Sequence, residues 1–152
     1  MRGVRSWRAV LAAALLTAVL PAAAQVEIQD AWVTRTLPGQ TSSAAYMRLR
    51  SAEGAAIVGV QCPLARSADL HEMRMDGDIM RMRGMKRLEL PAGEAVELAP
   101  GGYHIMLNSL KHPLAKGARV PLRLTIEGKD KSRKTVNVDA EVREPAGMGG
   151  MR

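Results

Sequence analysis

Phenylalanine is missing from the 152 residues, and two tryptophans and two tyrosines are the whole aromatic complement. With aromatics at 3% the core must be aliphatic, and the length has room for one domain only. Cysteine occurs once, at Cys62, so no intramolecular disulfide holds the fold, and before Pro63 it reads as a small buried hydrophobe. The longest apolar stretch, Ala9 to Leu20, is too short to span a bilayer. No Gly-rich loop opens a helix, no serine lies in a G-x-S-x-G context, and no nucleophile, base and orienter stand together. The chain is therefore expected not to be an enzyme.

Arg2, Arg5 and Arg8, the apolar stretch, Pro21 and the small residues Ala22 to Ala24 make a secretory signal with cleavage after Ala24. Its removal lowers the net charge from +7 to +4, and acids are interleaved with the bases, so no nucleic-acid footprint and no stable membrane insertion are expected. The expected organisation is signal peptide over 1–24, one domain over 25–144, and a Gly/Met tail over 145–152.

Apolar residues recur with period two. Leu122, Leu124 and Ile126 alternate with Arg123, Thr125 and Glu127, and Val136, Val138, Ala140 and Val142 alternate with polar residues, predicting a strand pair around the loop 128–132. Shorter candidate strands run over 31–35, 45–49, 56–61, 68–73, 78–82, 88–90, 96–98 and 103–107, separated by Pro- and Gly-bearing turns. Many short strands imply a sandwich or barrel. One turn of helix is expected within 109–116.

What the chain has in excess is methionine, ten in all. Five crowd into the segment from His71 to Met85, and His104-Ile105-Met106 follows a Pro100-Gly101-Gly102-Tyr103 turn. Thioethers with imidazoles suit Cu(I), whereas hard cations take oxygen, and zinc draws on Cys, His and carboxylate. Thioethers also escape the disulfide formation that removes thiolates outside the cytoplasm. In a strand, His104 and Met106 leave one face about 7 Å apart, near enough to share an ion. Asp76-Gly77 is a two-residue turn signal, and that register pairs Met75 with Asp78, Met73 with Met80 and His71 with Met82.

The spacing of His71, Met82, His104 and Met106 reads H-x10-M-x21-H-x-M. With Asp30-Ala31-Trp32, Pro38-Gly39-Gln40, Ala44-Ala45-Tyr46 and Met80-Arg81-Met82-Arg83, it resembles the PCu(A)C family of periplasmic copper chaperones over about residues 28–142. The resemblance implies an all-β, cupredoxin-like Greek-key β-sandwich in the periplasm, acting as a monomer. It also implies that His71, Met82, His104 and Met106 are the Cu(I) ligands. Copper would pass toward the dinuclear site of the cytochrome c oxidase copper subunit, or to a thiol copper-transfer protein serving oxidase assembly and copper homeostasis. Gly84 departs from the proline expected there, and Cys62, Met73 and Met75 lie outside the signature. The tail, with Met148 and Met151 but no histidine, argues against a second site there.

Two other classes compete. An electron-transfer cupredoxin needs His₂Cys with an axial Met, but no histidine precedes Cys62. A metal-free β-sandwich binding module would use its methionines as core. Met47, Trp32 and Tyr103 are expected to pack, His112 to lie in a surface loop, and Arg74, Arg81 and Arg83 to form a solvated hairpin face.

Overall fold

Alternation of small or branched apolar residues with polar ones makes strands of nearly the whole domain. The computed structural model describes residues 25–145, so the signal peptide and residues 146–152 lie outside it. Ten strands follow in order: β1 (Val26–Thr34), β2 (Ser43–Ser51), β3 (Ala55–Gln61), β4 (Ala65–Asp76), β5 (Ile79–Met85), β6 (Leu88–Leu90), β7 (Ala95–Leu98), β8 (Tyr103–Leu110), β9 (Arg119–Gly128) and β10 (Arg133–Arg143). The protein is all-β, as the alternation requires. Of residues 109–116, where one turn of helix was expected, 109–110 belong to β8 and the rest are bends, a turn and irregular chain; Pro113 and Gly117, the latter at φ +83°, interrupt any helical run. Among the described residues no helix is long and apolar enough to cross a membrane.

The ladder is continuous, in the order β5-β4-β8-β7-β2-β1-β10-β9-β3-β6, with β8 also pairing directly to β2. It is antiparallel except where β1 runs beside β10 and β7 touches β8. The β9–β10 hairpin forms around the expected loop, with Val136 opposite Leu124, Val138 opposite Leu122 and Ala140 opposite Val120. These residues join Ala45, Met47 and Leu49 of β2, Ile105 and Leu107 of β8 and Leu70 of β4 in one aliphatic core. Every strand except β5 places a buried apolar side chain in that core. β5 is an edge strand, and with the outer part of β4 it projects past the body as a two-stranded ribbon.

At the far side, Glu127 is a buried carboxylate, bonded to Arg87 Nη1 at 2.7 Å and Arg133 Nε at 3.1 Å. The Arg87 hydrogen bond, then that of Arg133, holds its pKa below the ordinary carboxylate value. A depressed folded-state pKa contributes stability that is present above the unfolded value, about 4.3, and lost as pH falls through the folded one. Glu127→Gln should therefore unfold at lower urea than the wild type at pH 7, and the gap should close as the pH is taken well below 4.3.

Candidate metal centre

The strands β5, β4 and β8 lie side by side, so same-face residues can be read off their registers. β4 pairs with β8 so that His71 faces His104 and Asp69 faces Met106. In the β4–β5 hairpin Met73 faces Met82, Met75 faces Met80, and His71 faces Gly84. This corrects the expected pairing of His71 with Met82 and Met73 with Met80: the two-residue turn is Gly77-Asp78, not Asp76-Gly77. Gly77 alone is left-handed there, at φ +63°, as a II′ turn with glycine in its first central position requires. A slip of two residues preserves side-chain parity. His71, Met82, His104 and Met106 therefore still share one face, with Met82 diagonal to His71.

That face is opposite the core. On β8, Ile105 and Leu107 point inward at 0% exposure, while His104 and Met106 between and beyond them face the hairpin side. His104 is nevertheless buried, at 6% exposure, and its Nε2 lies 3.3 Å from Met82 Sδ. The other ring nitrogen, Nδ1, is 3.1 Å from the carbonyl oxygen of Gly102. A carbonyl can only accept, so Nδ1 carries the proton and, in the neutral imidazole, Nε2 presents a bare lone pair to a sulfur with no hydrogen to give. Two such donors side by side can bind one soft cation together. Bonds of about 2.0 Å to nitrogen and 2.3 Å to sulfur, as for a first-row ion such as zinc, would span that separation at an angle of about 100°, near the tetrahedral value.

The His71 ring stands edge-on to His104, with centroids 5.6 Å apart and planes at 77°. Its Nδ1 is buried without a hydrogen-bond partner, a costly state for a polar atom unless something ligates it. A Cβ at Gly84 would lie 3.8 Å from the Cδ2 and Nε2 of this ring, so the bare glycine leaves that edge uncovered. Met106 completes the face between Asp69 and the small Ala44 of β2. Among the described residues no three His, Cys, Asp or Glu side chains gather as a metal-binding group; a metal here depends on methionine sulfur.

Two contributors escape a reading by residue type. The Gly102 carbonyl accepts both the His104 ring proton and the Met73 N–H, at 3.0 Å, tying β8's histidine to β4 through one atom. Gly101, at φ +85°, makes the turn that aims it. Asp69, two residues before His71 and hence on its face, accepts from Ser67 Oγ at 3.1 Å and Asn108 Nδ2 at 3.4 Å. Period-two counting from His71 would have found Asp69; the carbonyl has no sequence signal beyond the Gly-Gly before Tyr103. Cys62 is buried between β3 and β4, and burial pushes its thiol pKa up, keeping it a protonated thiol. Trp32 packs on Tyr46 across β1–β2, with centroids 4.6 Å apart, and His112 is exposed.

Residues 26–142 match the family described as "Putative lipoprotein LpqE-like". "Putative lipoprotein Lxx21020" of Leifsonia xyli subsp. xyli is 33% identical over 135 residues, 79% of this chain and 81% of that one. The chain belongs to the LpqE-like family. Its strand architecture is shared with PCuAC domains. The copper-bound PCuAC domain from PmoF2 superposes with a TM-score of 0.64 at 23% identity, over 81% of the LpqE-like chain and 97% of its own. Apo-DR1885 from Deinococcus radiodurans is 32% identical, with a TM-score of 0.60 over 96% of each chain. The Cu(I) form of DR1885 is 34% identical to this LpqE-like protein, with a TM-score of 0.59 over 82% of this chain and 83% of that one.

Proposed function

We propose that this LpqE-like protein is an exported, non-enzymatic copper chaperone. It takes one Cu(I) through His71, Met82, His104 and Met106 and passes it toward the dinuclear copper site of cytochrome c oxidase, directly or through a thiol partner. The observation that carries this reading is the 3.3 Å approach of His104 Nε2 to Met82 Sδ, which sets an imidazole nitrogen beside a thioether sulfur. The orphaned Nδ1 of His71 supports it, as does the likeness to a protein solved with Cu(I) bound. The lipoprotein descriptions of its relatives support export. An electron-transfer role fits less well, because a blue-copper site needs a cysteine beside its two histidines, and Cys62 precedes the Ala65–Leu110 end of the β4–β8 ladder while His71 and His104 pair six residues further along.

Met82, at 51% exposure, is the donor a partner reaches first. Delivery requires such an accessible ligand, since an incoming thiolate must bind before the last protein donor leaves. Cu(I)-loaded protein mixed without oxygen with a copper-free oxidase copper domain, or with a dithiol copper-transfer protein, should lose its metal to the acceptor within minutes, read by native mass spectrometry. Copper retained for hours beside an acceptor of higher affinity would mark a storage site instead.

A further inference from the structure

The β4–β5 ribbon is sorted by chemistry in a way that one four-ligand site does not use. On one face, successive rungs carry Met75 opposite Met80, Met73 opposite Met82, and His71 opposite Gly84. The other face of the same rungs carries Glu72 opposite Arg83, Arg74 opposite Arg81, and Asp76 opposite Ile79. The ionised side chains thus lie on one side with Met85, which faces Leu70 at the inner end, and Met73, Met75, Met80 and Met82 lie on the other. The arginines are matched by acids on their own face, Arg81 to Asp76 at 2.8 Å and Arg83 to Glu72 at 3.3 Å.

Packing does not account for the methionines at the tip. Met75 is 61% exposed, Met80 52% and Met82 51%, and with Ile79 they are four of the five large apolar side chains left exposed among the described residues. Of β5 only Met85 packs against the core, and Met73, Met75, Met80 and Met82 are not part of it, so those four sulfurs could be replaced by polar side chains without loss of interior. Directly opposed residues on a rung have Cβ atoms about 4.5–5.5 Å apart, and successive same-face residues along a strand are about 7 Å apart. Methionine, with three rotatable bonds, closes either gap. Met75 and Met82 border one surface hollow, together with Arg74, Asp76, Arg81 and Arg83.

We infer that Met73, Met75 and Met80 form a second, all-thioether Cu(I) site at the tip of the ribbon, one rung outward from the His71–His104 centre. Its donors are neutral and soft, so the ligand is a monovalent soft ion, held without change of oxidation state and without release of a proton. Met82 belongs to both neighbourhoods: it faces Met73 across the rung and touches His104 Nε2. An ion caught at the exposed tip therefore has a donor to pass to at each step inward. This goes beyond the single-ion chaperone reading, and it rests on that reading only for where the ion goes next.

Anaerobic titration of the mature chain with Cu(I), followed by native mass spectrometry and by the methionine methyl NMR signals, tests it. The wild type should take up two equivalents, and the methyls of Met75 and Met80 should shift with the weaker one. Met75→Leu with Met80→Leu keeps volume and exposure, and should bind one equivalent with the inner site intact. His104→Gln with Met106→Leu should also bind one, now at the tip, with the Met75 and Met80 methyls still shifting. If the inner site is misassigned but the tip is real, the tip double variant alone will lose copper. A wild type that stops at one equivalent, or a tip double variant that still binds two, overturns the proposal.

Discussion

Replacing His104 by glutamine and Met106 by leucine should weaken the tighter Cu(I) site of this protein by more than about 100-fold, while the far-ultraviolet circular dichroism of the sheet stays unchanged. Altering groups that merely orient a metal ligand costs about 10–100-fold, so deleting two of four ligands must cost more. The sheet should survive because neither side chain is on the core face of β8: Ile105 and Leu107 are fully buried, and Met106 lies opposite Asp69 and Ala44 on the outer face. Glutamine at 104 retains an amide N–H for the Gly102 carbonyl that now accepts from the ring. A competing colorimetric Cu(I) chelator reads the affinity. If the affinity of the tighter site is unchanged, the metal is held by other residues.

The converse substitution should separate stability from binding. Leu107 is 0% exposed in the common core, one residue from Met106 but on the opposite face. Leu107→Ala removes buried methyl groups and leaves a cavity, at a cost of about 2–5 kcal/mol. That is a large share of the 5–15 kcal/mol typical of a domain. The urea midpoint should fall with little change in slope. Below the unfolding transition, the folded molecules should bind Cu(I) within about threefold of the wild type, because the ligand face does not touch the cavity. A variant that remains folded yet loses copper would show that the two faces of β8 are mechanically coupled.

How far the sequence reaches is clearest along the β4–β5 hairpin. Period-two alternation places His71, Met73, Met75, Met80 and Met82 on one face whichever two-residue turn closes the ribbon, since a slip of two keeps parity. The face was therefore legible and the partners were not: Asp76-Gly77 and Gly77-Asp78 are both acceptable turns, and only the backbone shows that Gly77 takes the left-handed position while Asp76 stays in β4. The β9–β10 pair was legible because its alternation is long and its loop short. The parallel contact of β1 with β10, which joins strands from the two ends of the domain, left no local signature. The same holds for the Gly102 carbonyl, which acts through a main-chain atom common to every residue type.

The outward reach of the ribbon divides the domain into parts that open at different free energies. β4 is tied to β8 as far as Glu72, and the Met73 N–H to Gly102 oxygen bond is the last link; beyond it only the ribbon's own ladder holds the strands together. An isolated two-stranded hairpin is marginal in water. Amides from 74 to 81 should thus exchange through local fraying, while those of β9, flanked by β10 and β3, wait for global unfolding. The candidate donors straddle this boundary. His104 and Met106 ride on a strand that opens only with the whole domain, and Met82 rides on the outermost rung still fastened to it. Fraying one rung past this boundary detaches one sulfur from an otherwise intact set, so an ion can lose a ligand on the timescale of hairpin motion while the body of the protein stays folded.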